Sequence, residues 1–334
     1  MSDRRPGCFK KLLVLVVTSA LLVAALEVFI RVTDFWGVSY HSDVPRYFSE
    51  ALVLPPEAAS ETGYLFRNAP DQSLDFETFR WRTDALGFRR TVDREPPRDA
   101  ARKILFLGDS VTLAWGVDAQ DSWIHQVEEA LNADGEPRAR CYNAGHLRYD
   151  TPQAAALLAA IGPGLAPDVV VLTFVTNDLE SSWEIYQDLM KQASEPPEPG
   201  LSTTVDREWR RATQGIRQVW QVLEGGPKVP DDVTTAPEYA ESWARVSAAL
   251  DRLLDTTRSL GATLLVLDHS EPRVGALASW CQTNGVRFEP FQFTQEEWAR
   301  GLANSVADQH ANPLGNDLLT EKALPVLREV LESR

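Results

Sequence analysis

Lys103-Ile104-Leu105-Phe106-Leu107-Gly108-Asp109-Ser110 is the stretch from which the fold is read. The apolar run shows no polar alternation, the mark of a strand buried on both faces of a parallel sheet. It breaks into Gly-Asp-Ser, where a residue without a side chain lets the backbone turn sharply. A serine just past the carboxyl end of such a strand points into the crevice where open α/β sheets bind ligands.

Downstream, strand and helix patterns alternate. Candidate strands are 103–107, 139–142, 168–174, 262–268 and 285–289. Helical patterns lie near 120–134, 151–160, 240–259 and 273–284, with a last one at 316–332. Such alternation predicts a parallel sheet covered by helices on both faces, with every strand's carboxyl end on one rim. No repeat at a fixed period is visible. The stretch 185–238 breaks the rhythm. It carries Glu195-Pro196-Pro197-Glu198-Pro199-Gly200, then Trp209, Ile216, Val219, Trp220 and Leu223 at helical spacing. It reads as a surface insertion with one amphipathic helix, or as a lid that shapes a substrate site.

Upstream lie two further regions. Arg4, Arg5, Lys10 and Lys11 precede an apolar run from Leu12 to Leu26, extended through Val28-Phe29-Ile30 and ended by Arg31. Leu12 to Ile30 nearly meets the roughly 20 residues that span a bilayer. The preceding basic residues predict a cytoplasmic N-terminus. The run reads first as an uncleaved anchor; a cleaved signal peptide and a buried helix are the alternatives. Residues 32–100 form a proline-broken lead-in. Within it, 76–83 alternates like a strand, and Asp84-Ala85-Leu86-Gly87 reads as a turn. The expectation is a small β-rich segment packed on the main domain.

Composition narrows the function. The chain has 334 residues, 44% hydrophobic and 24% charged, ordinary values for a globular protein. A formal charge of -15 argues against a nucleic-acid partner. Cys8, Cys141 and Cys281 lie far apart and form neither a metal spacing nor a disulfide framework. There is no Gly-x-Gly-x-x-Gly, P-loop lysine or His-Glu-x-x-His, so no metal or cofactor is expected. The absence of Gly-x-Ser-x-Gly disfavours an α/β-hydrolase elbow.

The predicted rim collects a coherent set of residues. Asn143-Ala144-Gly145 follows one strand and Val175-Thr176-Asn177-Asp178 another. Asp308-Gln309-His310 precedes the last helix. A serine hydroxyl becomes an effective nucleophile when a base takes its proton, and His310 is the candidate base. Asp308, two residues earlier, can face the same side of an extended segment and orient the ring. The N–H groups of Ser110 and Gly145 and the side-chain amide of Asn177 are candidate donors to an oxyanion. Asp178 reads as a helix cap. Trp115, His146 and His269 are candidates to line the substrate pocket, while His125 reads as a packing or surface residue.

The set Gly108-Asp109-Ser110, Gly145, Asn177 and His310, in this order, resembles the SGNH (GDSL) hydrolases over roughly residues 100–332. Arg82-Thr83-Asp84-Ala85-Leu86-Gly87-Phe88-Arg89 is similar to a segment preceding this core in membrane-anchored bacterial members. The resemblance implies a flavodoxin-like three-layer α/β/α sandwich and ester hydrolysis without a metal. It implies Ser110 as nucleophile, His310 as base, Asp308 as its orienter, and Gly145 and Asn177 as oxyanion donors. Two positions depart from the pattern. Val175 stands where the family commonly has glycine, and Asp308 precedes His310 by two positions where the family often has three.

The expected organisation is a stub and anchor at 1–31, a lead-in at 32–100 and a hydrolase domain at 101–334. The expected activity is that of an extracytoplasmic serine esterase, held on a bacterial inner membrane, acting on acyl esters of envelope carbohydrate or lipid. An O-acyltransferase with the same triad and a non-catalytic glycan-binding or assembly protein are the alternatives. The sequence says nothing of oligomeric state.

Overall fold

The computed structural model describes residues 7–34, 36–53, 63–90, 102–133, 139–184, 233, 238–306 and 308–333. They fall in two compact units. The smaller contains helix α1 (Gly7–Thr33) and the turn Ser305–Gln309. Within α1, Lys10–Thr33 is 24 residues long and holds an 18-residue window with a mean hydropathy of 2.7, enough to cross a bilayer; a signal sequence near the N-terminus has the same character. Its leucine and valine side chains are largely exposed. Glu27 is paired with Arg31 one turn later, at 2.7 Å.

The larger unit begins within helix α2 (Val38–Glu50) and contains the sheet. Two small antiparallel pairs come first: β1 (Leu52–Val53) with β2 (Arg67–Asn68), and β3 (Ser73–Asp75) with β4 (Arg80–Arg82). The main elements follow as β5 (Arg102–Gly108), α3 (Ser110–Leu113), α4 (Trp123–Leu131), β6 (Ala139–Gly145), α5 (Thr151–Leu165) and β7 (Val169–Phe174). Then come a 3-10 turn at Thr176–Leu179, α6 (Tyr239–Ser259), β8 (Thr263–Asp268), α7 (Gly275–Asn284), β9 (Arg287–Pro290), α8 (Gln295–Trp298) and α9 (Pro313–Glu332).

The described strands of the main sheet are all parallel, in the order β6-β5-β7-β8-β9. This is the flavodoxin-like order, whose switch point lies between the first strand, β5, and its neighbour β7. Connections leave these two strands in opposite directions, so a crevice opens beyond their carboxyl ends. Ser110 follows β5 and Asn177 follows β7.

Alternate residues of the strands feed two cores, giving three layers. Ile104 and Phe106 of β5 and Val169 and Val171 of β7 pack with α4 and α9, including Trp123, Val127, Leu319 and Leu327. Leu105, Leu107, Val170 and Leu172 pack on the other face with α5, α6 and α7, including Leu158, Leu250 and Leu277. All eight strand residues are fully buried, each contributing about 1.5–3 kcal/mol of transfer free energy.

Residues 63–90 of the lead-in pack against the core of the sheet unit, through Leu65, Phe66 and Phe88, with less strand than the alternating pattern predicts. Only Arg80–Arg82 of the alternating stretch 76–83 is extended in β4. The Asp43 carboxylate accepts the Glu77 N–H at 2.9 Å, and the Phe76 N–H donates to Phe79 O at 3.0 Å. Residues 76–79 therefore form the turn of the hairpin. Phe76 and Phe79 turn inward onto Trp115, which also packs against Tyr47.

Arg89 fastens the end of the lead-in. Its guanidinium donates to the carbonyls of Leu113, Ala114 and Val117, at and just past the end of α3. It also lies 5.5 Å from the ring centres of Phe79 and Trp81. Burial lowers its pKa to about 10, so the cation is retained at neutral pH. The predicted insertion 185–238 lies outside the described residues, apart from Val233 and Glu238.

Candidate active site

The site starts from the end of β5. Gly108 has φ +144, and a Cβ there would lie 2.4 Å from Thr112 Oγ1 and 2.7 Å from Thr173 O. Only glycine lets the chain turn this tightly between β7 and the start of α3. Asp109 then caps α3, its carboxylate accepting the Val111 N–H at 2.9 Å. Ser110 occupies the first helical position, where its own N–H has no partner within the helix.

His310 reaches this serine from the segment before α9. Its Nε2 lies 2.7 Å from Ser110 Oγ. The backbone on both sides is pinned. The Asn304 N–H donates to His310 O at 2.9 Å. Asn312 caps α9 by accepting the Gly315 N–H, while its amide donates to Gly301 O and Ala303 O. With the ring proton on Nδ1, Nε2 can accept the serine proton. Asp308 sits in the adjoining turn, where its N–H donates to Ser305 Oγ and its carbonyl accepts the Ser305 N–H.

Asn177 completes the cluster. Its Nδ2 donates to Asp109 Oδ2 at 3.3 Å, and the Ser110 hydroxyl lies 3.2 Å from the same oxygen. The Asn177 amide is thus already aimed at an acceptor oxygen beside Ser110. An amide nitrogen carries two hydrogens, so one remains beyond that bond. The Asn177 Oδ1 is buried without a hydrogen-bond partner among the described residues. The turn bearing Asn177 is held by Asp178, whose carboxylate accepts the Val175 N–H at 2.8 Å and the Thr151 hydroxyl at 2.7 Å. Burial raises the Asp178 pKa well above the usual carboxylate range. Asp178 stands not at the N-cap the sequence suggests, which is Val175, but three positions on, from where its side chain reaches back to the Val175 N–H.

Gly145 departs from the sequence-based expectation. Its N–H donates to Asn143 Oδ1 at 3.0 Å, so it is already engaged within its own strand end. The glycine is needed for packing, since a Cβ would lie 2.4 Å from Leu113 N. It lets the end of β6 press directly on α3.

The three candidate lining residues also sit differently from one another. His146 is buried, with Nδ1 2.9 Å from Ala144 O and Nε2 accepting the Asn68 N–H at 3.0 Å. Its ring stacks on Tyr149 at 4.3 Å, and burial lowers its pKa to about 3. Both ring nitrogens are used by backbone, so His146 joins the lead-in to β6 instead of lining a pocket. Trp115 is 1% exposed and faces the lead-in aromatics, so it packs behind α3 instead of lining a pocket. His269, partly buried, bonds Phe291 O through Nδ1 at 3.0 Å and packs edge-on against Phe293. Burial lowers its pKa, partly offset by the hydrogen bond to Phe291 O and then by the Asp109 carboxylate. Among the described residues no group of three His, Cys, Asp or Glu is placed to hold a metal.

The sequence reading passed over Asp109 as a shared acceptor, and over the buried arginine Arg89. Only the adjacency of Asp109 to Ser110 carried a signal.

The family model of the GDSL-like lipase/acylhydrolase family matches residues 106–318. No curated protein matches the chain by sequence. Among solved structures, a psychrotrophic esterase from Pseudoalteromonas sp. is 13% identical, with a TM-score of 0.45 over 69% of this chain and 99% of its own. The structure of TesA is 18% identical, with a TM-score of 0.41 over 69% of this chain and 99% of its own. A catalytic mutant of an acetylxylan esterase from Geobacillus stearothermophilus is 15% identical, with a TM-score of 0.41 over 69% of this chain and 94% of its own. The match to the family model covers the end of β5, the Gly-Asp-Ser turn, Asn177 and His310, and the chain belongs to the GDSL-like lipase/acylhydrolase family.

Proposed function

We propose that the chain is a serine esterase working through an acyl-enzyme, with Ser110 as nucleophile and His310 as general base. The observation that carries this reading is the 2.7 Å contact between His310 Nε2 and Ser110 Oγ. In the first step Ser110 Oγ bonds to the acyl carbon, its proton passes to His310 Nε2, and the carbonyl oxygen takes the negative charge. The Ser110 N–H and the second hydrogen of the Asn177 amide receive that oxygen. Collapse breaks the bond to the alcohol, which takes the proton from His310. Water then repeats the sequence on the acyl-enzyme and releases the acid. Asp308 orients the imidazole and stabilises its charged form. The Gly145 N–H is left out of the donor set because Asn143 already holds it.

The substrates we infer are short acyl esters on envelope carbohydrate or lipid. Support comes from α1, which is long and apolar enough to hold the chain at a bilayer, and from the basic residues that precede it and favour an extracytoplasmic catalytic domain. The test is hydrolysis of short against long p-nitrophenyl esters by the full-length protein in detergent, with Ser110→Ala as control. The reading expects turnover of the short esters that disappears in Ser110→Ala. Turnover that survives in Ser110→Ala would overturn it, and acylated sugar formed from an added acceptor would replace hydrolysis with transfer.

A further inference from the structure

Arg245 is a charged side chain on α6 that no motif singles out, and it grips the turn that carries Asn177. Its Nη2 donates to the carbonyls of Asp178, Leu179 and Glu180, at 3.3, 3.0 and 2.7 Å. These are the three carbonyls that follow Asn177 in the chain. Its Nη1 donates to Asp150 Oδ2 at 2.9 Å. Asp150 is fixed in turn, since it caps α5 through the Gln153 N–H and accepts the Ser182 N–H, each at 3.0 Å.

The turn is therefore framed from both ends. Upstream, the Asp178 carboxylate holds Val175 and Thr151. Downstream, one planar guanidinium gathers three successive carbonyls and ties them to the start of α5. The side chains of Arg245 and Asp150 are 26% and 3% exposed, so this is not a solvated surface pair. A lysine offers a compact point charge and lacks the fork that spans several acceptors.

We propose that Arg245 is a positioning residue for the reaction: it fixes the rotation of the turn Thr176–Leu179 so that the Asn177 amide reaches the oxyanion. The proposal rests on the reading of Asn177 as an oxyanion donor. Geometry of this kind matters because a misplacement of about 1 Å can cost about a hundredfold in rate.

The test is a double-mutant cycle on the full-length protein in detergent with p-nitrophenyl acetate as probe. Arg245→Met is expected to lower kcat by about tenfold to a hundredfold with little change in KM, and Arg245→Lys to restore part of the loss. In an Asn177→Ala background, Arg245→Met should change kcat by less than about twofold, because the group it positions is gone. Multiplying effects in the double variant, or a kcat for Arg245→Met within about twofold of wild type, would overturn the proposal. An Asn177→Ala loss below tenfold would overturn the oxyanion reading itself, and the proposal with it. Thermal melts of every variant keep loss of fold apart from loss of positioning. Should Arg245→Met fail to fold, Arg245→Lys carries the same comparison.

Discussion

His310 Nε2 lies 2.7 Å from Ser110 Oγ, although 200 positions of chain separate the two residues. The sheet order brings them together. β5 ends at the switch point and delivers Ser110 there, while the segment before α9 returns across the same rim with His310. Each backbone is pinned independently, at Asp109 on one side and at Asn304 and Asn312 on the other. The contact is thus a property of the folded frame, present before any substrate arrives.

Asn177→Ala should lower kcat by about 10²–10³ while leaving KM nearly unchanged, as for loss of one oxyanion donor. Steady-state kinetics with p-nitrophenyl acetate measure it. A loss below tenfold would remove Asn177 from the donor set.

Asp308→Ala separates ring orientation from mere proximity. If this carboxylate sets the tautomer of His310, kcat should fall by about 10⁴, as when a triad acid is lost. A negligible change would assign the orientation of the ring to another group.

Gly145→Ala tests the packing role given to that glycine. The new methyl would lie 2.4 Å from Leu113 N, an atom of backbone that has little room to yield. The expected cost is about 1–3 kcal/mol of stability, as in overpacked cores, together with reduced turnover as α3 shifts. Urea denaturation measures the first, and an unchanged midpoint would contradict the account.

His146 makes stability depend on pH. Burial holds its folded pKa at about 3, below the ordinary value of 6.5. Between these values the unfolded chain binds more protons, so its contribution is present above about 6.5 and is lost as pH falls toward 3. Asp43 works in the opposite sense. Its folded pKa is raised to about 6, chiefly by burial, so its contribution is present below 3.8 and is lost as pH rises through 6. Comparing wild type with His146→Gln cancels Asp43. The stability difference between them should shrink with falling pH, at up to about 1.4 kcal/mol per pH unit. A constant difference across that range would mean that His146 does not titrate between the two states.

The main sheet was legible because its strands are apolar runs with no alternation, a pattern that long-range packing rarely reverses. Each predicted strand of the sheet appears within a few residues of its expected bounds. The hairpin of the lead-in was misjudged at 76–79 because Asp43, more than thirty positions away, captures the Glu77 N–H. The cluster of Ser110, Asn177 and His310 was visible because each follows a strand or precedes a helix. Gly145 shows the limit, since a glycine at a strand end looks the same whether it offers an N–H or admits a neighbouring backbone. Arg89 and Arg245 were illegible for a related reason: in sequence they look like solvated charges, and only the folded chain reveals the carbonyls they collect.

The most direct test of the central claim is the rate and site of labelling by a fluorophosphonate probe, followed on the full-length protein in detergent and mapped by mass spectrometry. The account predicts a single label on the peptide containing Ser110. Ser110→Ala should abolish it, and His310→Ala should slow it by about 10³ or more while the protein stays folded. A folded protein that takes no label at Ser110, or takes it equally fast without His310, would contradict the account.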